Sequence, residues 1–169
     1  MKTEFRGFAF LFGKDISTDQ IYPGQYLELV ETKDIANHCL EGADPDFVKK
    51  MRKGDIVVAG TNFGCGSSRE HAAITLQGAG VGVVIAESFA RIFYRNAINL
   101  ALPLLVCKGI SGKVKEGDEL TVNIKTGEIK NVTTGLLLQG EKLSAYAIDL
   151  FEAGGIKEIF RKRNTGFSL

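Results

Sequence analysis

Two runs dominated by apolar residues, Asp55-Ile56-Val57-Val58-Ala59 and Val81-Gly82-Val83-Val84-Ile85-Ala86, are each followed by a polar break and then by residues of helical period. No other feature constrains the fold as much, because an unbroken apolar run of this length marks a strand covered on both faces. Ala72-Ala73-Ile74-Thr75-Leu76-Gln77 reads as the helix after the first run. Ser88 reads as the cap of the helix after the second, with Phe89, Ile92, Phe93 and Ala97 on one face. Leu102-Pro103-Leu104-Leu105-Val106 supplies a further strand. Strand, helix, strand, helix, strand in this order implies right-handed crossovers and a parallel sheet at the centre of an α/β domain.

The remaining segments are placed around that centre. Phe8-Ala9-Phe10-Leu11-Phe12 predicts a first strand, and residues 13–26 a long polar loop carrying Asp15, Ser17, Thr18, Asp19 and the Pro23-Gly24 turn. Residues 32–40 predict a short helix, and Asp44-Pro45-Asp46 the start of another. Residues 120–124 and 132–138, joined by a turn near Thr126-Gly127, predict an appended antiparallel hairpin. Residues 144–153 predict a helix stopped by Gly154-Gly155, and Arg161-Lys162-Arg163 a solvated terminal cluster. The 169 residues fit one domain, 1–169, with a proper core.

Charge and cysteine content narrow the function classes. With 21 Lys plus Arg against 20 Asp plus Glu, no global field draws the chain to nucleic acid or to a membrane surface. No apolar stretch approaches the roughly 18 residues needed to cross a bilayer. Cys39, Cys65 and Cys107 are odd in number and far apart, with no leader pattern ahead of them, which fits a reducing cytoplasm better than a disulfide framework. Besides them the chain has only His38 and His71, so no metal centre built wholly by this chain is expected.

The chemistry-bearing segment is Gly60-Thr61-Asn62-Phe63-Gly64-Cys65-Gly66-Ser67-Ser68-Arg69-Glu70-His71, between strand and helix. Three glycines, adjacent hydroxyls and a guanidinium at a helix start outline a site for an anion. Ser67-x-x-Glu70 also satisfies the capping-box pattern, which alone would give Ser67 only a structural task. A cap explains neither the glycines nor Arg69, which is unfavourable beside the positive end of a helix dipole unless an anion answers it. A dinucleotide-binding fingerprint is the rival, with Gly64-x-Gly66 in the loop and Glu87 at the spacing of a ribose-binding acid; Arg69 stands where the third glycine belongs. A non-catalytic module holding phosphate or carboxylate is a third reading. A P-loop is excluded because no Gly-Lys-Ser/Thr follows, and Cys65 with His71 lacks a third orienting group for thiol catalysis.

The same segment resembles the signature of the small subunits of aconitase-type hydro-lyases, especially those of 3-isopropylmalate dehydratase. The likeness extends to Asp15-Ile16-Ser17-Thr18-Asp19-Gln20-Ile21 and to Ser88-Phe89-Ala90-Arg91-Ile92-Phe93-Tyr94-Arg95-Asn96-Ala97, and so covers nearly the whole chain. It implies a swivelling β/β/α domain, three layers with a central mostly parallel sheet and an appended antiparallel hairpin. It also implies a separate large subunit that carries a [4Fe-4S] cluster, whose iron assists departure of the hydroxyl. This chain would bind no cofactor itself, would be inactive alone, and is open to homo-oligomerisation in isolation. By position, Ser67 would be the base that moves a proton beside a substrate carboxylate, Arg69 the carboxylate clamp and Ser68 a further contact. Gly64 and Gly66 would donate backbone N–H groups to the anion, and Asn62 is a candidate contact. Substrate choice in the family is associated with the segment Gln25-Tyr26-Leu27-Glu28-Leu29-Val30. Tricarboxylate-processing relatives carry an arginine after Tyr-Leu, where this chain has Glu28; a carboxylate there repels a further substrate carboxylate, while Leu27 or Leu29 can pack on a branched alkyl group. The expected substrate is 3-isopropylmalate rather than homoaconitate or citrate; Glu28 departs from the apolar residue expected for isopropylmalate, so the alternative is the small subunit of a related dehydratase, a homoaconitase or an alkylmalate dehydratase. Asp15, Asp19 and Asn62 also fit a role in shaping the loop through side-chain to backbone bonds.

Overall fold

A computed structural model describes residues 2–165. Seven strands form one sheet in the order β4-β3-β2-β1-β5-β6-β7. β1 (Glu4–Leu11), β2 (Ile56–Ala59), β3 (Val83–Ala86) and β4 (Leu104–Val106) run parallel, with Ala9 opposite Ile56, Ala59 opposite Ala86 and Ala86 opposite Val106. β5 (Glu119–Asn123), β6 (Glu128–Asn131) and β7 (Leu137–Gln139) extend the same sheet antiparallel from the other side of β1.

Alternation along the central strands builds three layers. Val57, Ala59, Val84, Ala86 and Leu104 face the helical layer, where α4 (His71–Ala79) contributes Ala72 and Leu76, and α5 (Arg91–Asn99) contributes Phe93 and Ala97. Ile56, Val58, Val83, Ile85 and Leu105 face the opposite way, toward Leu120, Val122 and Ile129 of the antiparallel strands and Leu150 and Phe151 of α6 (Ala145–Ala153). The antiparallel half therefore curls over the second face of the parallel half. It curls far enough that Glu141 N–H, just past β7, donates to Val106 O at the end of β4, 2.7 Å away.

Several local expectations need correcting. The antiparallel part is three strands rather than a hairpin, and the run expected as strand 132–138 is split. Asn131 Oδ1 accepts from Thr134 N–H at 3.3 Å and Gly135 takes φ +81°, so residues 132–135 turn the chain before β7. Ser88 does not cap α5: its Oγ accepts from Asn62 N–H at 2.7 Å, and the helix starts later, after Ala90. Ser67 is likewise no cap, because α4 begins only at His71 with Glu70 before it. The capping box that does form is Ser17 with Gln20, at the head of α1 (Thr18–Ile21), inside the segment expected to be all loop. Residues 156–165 are α7 (Ile156–Thr165), so Arg161, Lys162 and Arg163 sit on a helix whose Ile156 and Ile159 pack on the core. Of the segment 32–40, α2 (Thr32–Ala36) is helical; α3 (Phe47–Lys50) follows a turn that holds Asp44.

Phe63, Phe89 and Phe93 meet beneath the loop that leaves β2, with the Phe63 and Phe93 ring centroids 5.3 Å apart and nearly perpendicular. Gly64 makes this packing feasible, since it holds φ +85° and a Cβ there would overlap Phe93. Gly135 has a similar φ of +81° but open space around it. Gly135→Ala should therefore carry the backbone cost alone, about 1 kcal/mol and roughly 2–4 °C in Tm. Gly64→Ala should add overpacking, about 3 kcal/mol in total and roughly 6–12 °C. Thermal unfolding of the two variants checks this; equal shifts would show that Phe93 has room to retreat.

Candidate active site

All the expected site residues lie beyond the carboxyl ends of β1, β2 and β3, where the loops stay paired after the strands have ended. Gly60 N–H donates to Gly13 O at 3.1 Å, Asp15 N–H to Thr61 O at 2.8 Å, Gly64 N–H to Ile16 O at 2.7 Å, and Thr18 N–H to Cys65 O at 2.7 Å. On the other side Phe63 N–H donates to Ser88 O at 3.1 Å and Ala90 N–H to Phe63 O at 3.0 Å. The carboxyl ends of parallel strands are where α/β sheets place their ligands, and in this chain a continuing backbone ladder fixes the loop that would do so.

Ser67 and Ser68 are exposed at the rim of this ladder. Ser67 Oγ lies 3.0 Å from Thr18 Oγ1, and Ser67 N–H donates to the same oxygen at 3.2 Å. Ser68 is held through its carbonyl, which accepts from Asn96 Nδ2 of α5 at 3.3 Å. The Arg69 side chain is about three-quarters buried, 28% exposed, and its Nη1 lies 3.1 Å from Asp19 Oδ1. The sequence reading looks to a ligand for the anion that answers Arg69; here a side chain of the same chain, Asp19, does so. Asp19 Oδ1 also accepts from Gly24 N–H at 2.9 Å, and this bond, followed by the Arg69 contact, holds the Asp19 carboxyl below the usual range. Gly24 lies directly under the guanidinium: a Cβ on it would stand 3.3 Å from both terminal nitrogens.

Gly24 also opens the segment expected to select substrate. A 3₁₀ turn, Gly24–Tyr26, leads into Leu27 and Glu28, both exposed, and Leu29, which is partly covered. Tyr26 is engaged by His38 and Glu41. Its ring stacks on His38 with centroids 3.5 Å apart, and its hydroxyl donates to Glu41 Oε1 at 2.9 Å, so it braces the segment instead of offering a free phenol. Asn62 is similarly committed: with φ +61° it donates through Nδ2 to Asp15 Oδ1 at 3.0 Å, and Asp15 itself has φ +55°. Gly64 cannot donate to a ligand because its N–H is held by Ile16; its contribution is room for Phe93. Gly66, exposed with φ +105°, carries the chain over Thr18, whose Oγ1 would be 3.3 Å from a Cβ there.

Two rival chemistries lose their residues. Glu87 accepts from Gly109 N–H at 2.7 Å and from Ser111 Oγ at 3.1 Å, so both its oxygens serve the turn after β4 and neither is left for a ribose. His71 stacks flat on Tyr22, centroids 5.4 Å apart, and among the described residues no hydrogen bond joins it to Cys65. Cys39 and Cys107 are buried, with the Cys39 thiol pushed up by burial, and among the described residues no three His, Cys, Asp or Glu side chains gather to hold a metal ion. None of the described helices is long and apolar enough to cross a membrane.

Thr18 is a site residue that the sequence does not single out, because nothing local links it to a serine 49 residues away. Its one signal is the Ser17-x-x-Gln20 box, which places it at a helix start.

Residues 9–108 match the family model described as the aconitase C-terminal domain. The isopropylmalate/citramalate isomerase small subunit of Methanocaldococcus jannaschii is 55% identical, over 96% of this chain and 97% of its own length. The methanogen homoaconitase small subunit of Methanothermobacter thermautotrophicus is 44% identical over 99% of this chain and 98% of its own. A crystal structure of 3-isopropylmalate dehydratase from Methanocaldococcus jannaschii superposes with a TM-score of 0.91 at 40% identity, covering 96% of both chains. With the swivel-type three-layer fold and the site loop in place, this kinship is conclusive: the chain belongs to the aconitase C-terminal domain family, among the small subunits of the 3-isopropylmalate dehydratase type.

Proposed function

We propose that this chain, as a single domain, is the small subunit of a heteromeric hydro-lyase that interconverts 2-isopropylmalate and 3-isopropylmalate by dehydration and rehydration, in leucine biosynthesis. Its partner is an iron–sulfur large subunit, to which the family resemblance assigns departure of the hydroxyl. This chain supplies the proton chemistry and a carboxylate grip. One observation carries the reading: the ladder between strand exits presents an exposed Ser67 hydroxyl and a sheltered Arg69 guanidinium two residues apart.

In the dehydrating direction Ser67 Oγ takes the proton from the carbon beside a substrate carboxylate. The C–H bond breaks, an O–H bond forms, and the electron pair becomes the double bond as the hydroxyl leaves; rehydration returns the same proton. A serine hydroxyl is a weak base, so its deprotonated state needs preorganised donors and positive charge nearby. Arg69 offers a planar, two-pronged donor suited to a carboxylate, and Asp19 holds that donor in place until substrate arrives. Ser68 adds a hydroxyl at the same rim. The open site suits assembly against a second subunit, which would close it from water.

Relatives differ in the substrates they are named for, and the segment beside Arg69 supports an alkylmalate for this chain. Leu27 and Glu28 are exposed in the segment that starts at Gly24, under the Arg69 guanidinium, where a Glu28 carboxylate would repel a third substrate carboxylate and Leu27 is available to an alkyl group; citramalate, named for one relative, is the runner-up.

In the complex reconstituted with its large subunit, Ser67→Ala should lower kcat by about 100- to 10,000-fold. Arg69→Lys, which keeps the charge and loses the fork, should lower kcat/KM by about 10- to 100-fold. Steady-state isomerisation of 2-isopropylmalate reads both, and near-parental rates in either variant would strip that residue of its proposed role.

Glu28→Arg should raise kcat/KM for homoaconitate relative to 3-isopropylmalate by at least about tenfold. A substrate panel on the same complex, including citramalate, measures it; an unchanged ratio would mean that Glu28 faces solvent with no part in selection.

A further inference from the structure

Thr18 is buried, 2% exposed, at the first position of α1, and its backbone N–H is fixed to Cys65 O. Its hydroxyl has hydrogen-bond partners in one residue only among the described residues, the N–H and the Oγ of Ser67. Counting protons sets the direction. Thr18 Oγ1 accepts from Ser67 N–H, which uses one lone pair and leaves its own proton in need of an acceptor. The acceptor in reach is Ser67 Oγ at 3.0 Å. Were Ser67 the donor instead, a buried hydroxyl proton would have no partner, which native structures avoid. Ser67, being exposed, can turn its own proton outward.

We propose that Thr18 is the positioning residue that prepares Ser67 as a base: it donates to Ser67 Oγ, fixes that oxygen through a two-point grip, and favours its deprotonated state. The inference rests on the serine-base reading above. A hydrogen bond to an oxygen strengthens as that oxygen gains negative charge, so the Thr18 contact is worth more in the transition state than in the resting state. No proton leaves Thr18; the substrate proton goes to Ser67 Oγ.

The test uses the complex reconstituted with its large subunit. Thr18→Val keeps the shape and removes the hydroxyl, Thr18→Ser keeps the hydroxyl, and Thr18→Ala serves in case valine disturbs folding. The expected result is a fall in kcat of about 10- to 100-fold for Thr18→Val and Thr18→Ala, with KM nearly unchanged and the basic requirement of the pH–rate profile moved to higher pH. Thr18→Ser should restore most of the rate. In the Ser67→Ala background, Thr18→Val should cause no further loss, because its effect runs through Ser67 alone. Parental kcat and an unshifted pH profile in Thr18→Val, or a full additional loss in the double variant, would overturn the role of Thr18 while leaving the serine base standing. A Ser67→Ala complex that stays active would instead overturn the serine-base reading, and the inference with it.

Discussion

Backbone pairing that continues past the ends of β1, β2 and β3 is the constraint on which the site depends. The loops after β1 and β2 exchange bonds from Gly60–Gly13 through Thr18–Cys65, and the loop after β3 joins at Phe63 through Ser88 and Ala90. A glycine-rich segment of this length left free would lose conformational entropy each time it bound a ligand. Pairing removes most of that freedom during folding. Aromatic packing under Phe63 and the left-handed residues Asp15, Asn62, Gly64 and Gly66 then set where the chain turns. Catalytic groups on such a ladder inherit the precision of a sheet although they lie outside it.

Within that frame two hydroxyls and two charges come together from segments about 50 residues apart. Asp19 neutralises Arg69 and is itself tied to Gly24, so the segment proposed to select substrate and the group proposed to grip it are joined through one carboxylate. With Asp19 68% exposed, an ion pair of this kind contributes at most about 1 kcal/mol. A substrate carboxylate with better two-pronged geometry can share or displace it. The cover over the Arg69 side chain, 28% exposed, would keep the guanidinium aimed during such an exchange.

The central architecture was legible because β2 and β3 are buried on both faces, so their sequences are apolar at every position from Ile56 to Ala59 and from Val83 to Ala86. Patterns resting on one polar residue were less dependable. Ser67 and Ser88 each stand at a believable cap position, yet both hydroxyls serve contacts across the site because the helices start later than the pattern suggests. In the antiparallel half, Thr133 and Thr134 resemble strand residues, but Asn131 and Gly135 impose a turn through a side-chain bond and a positive φ. Ser67, Arg69 and the segment after Gly24 could be named as candidates from the motif and its resemblance. What Gly64, Asn62 and Tyr26 do could not, since that depends on partners distant in sequence: Ile16, Asp15 and Glu41. Thr18 belongs to the same class.

The curl of the sheet bears on how such a chain can be recognised. Where β4 ends, the main chain is already engaged by Glu141, so an incoming strand finds the Val106 carbonyl occupied. Adding a strand beside the end of β4 would first have to break that bond, which favours contacts made by side chains and loop shape there. A partner held by side chains and loops, in contrast to one joined by strand pairing, can pivot or withdraw without unzipping a hydrogen-bonded ladder.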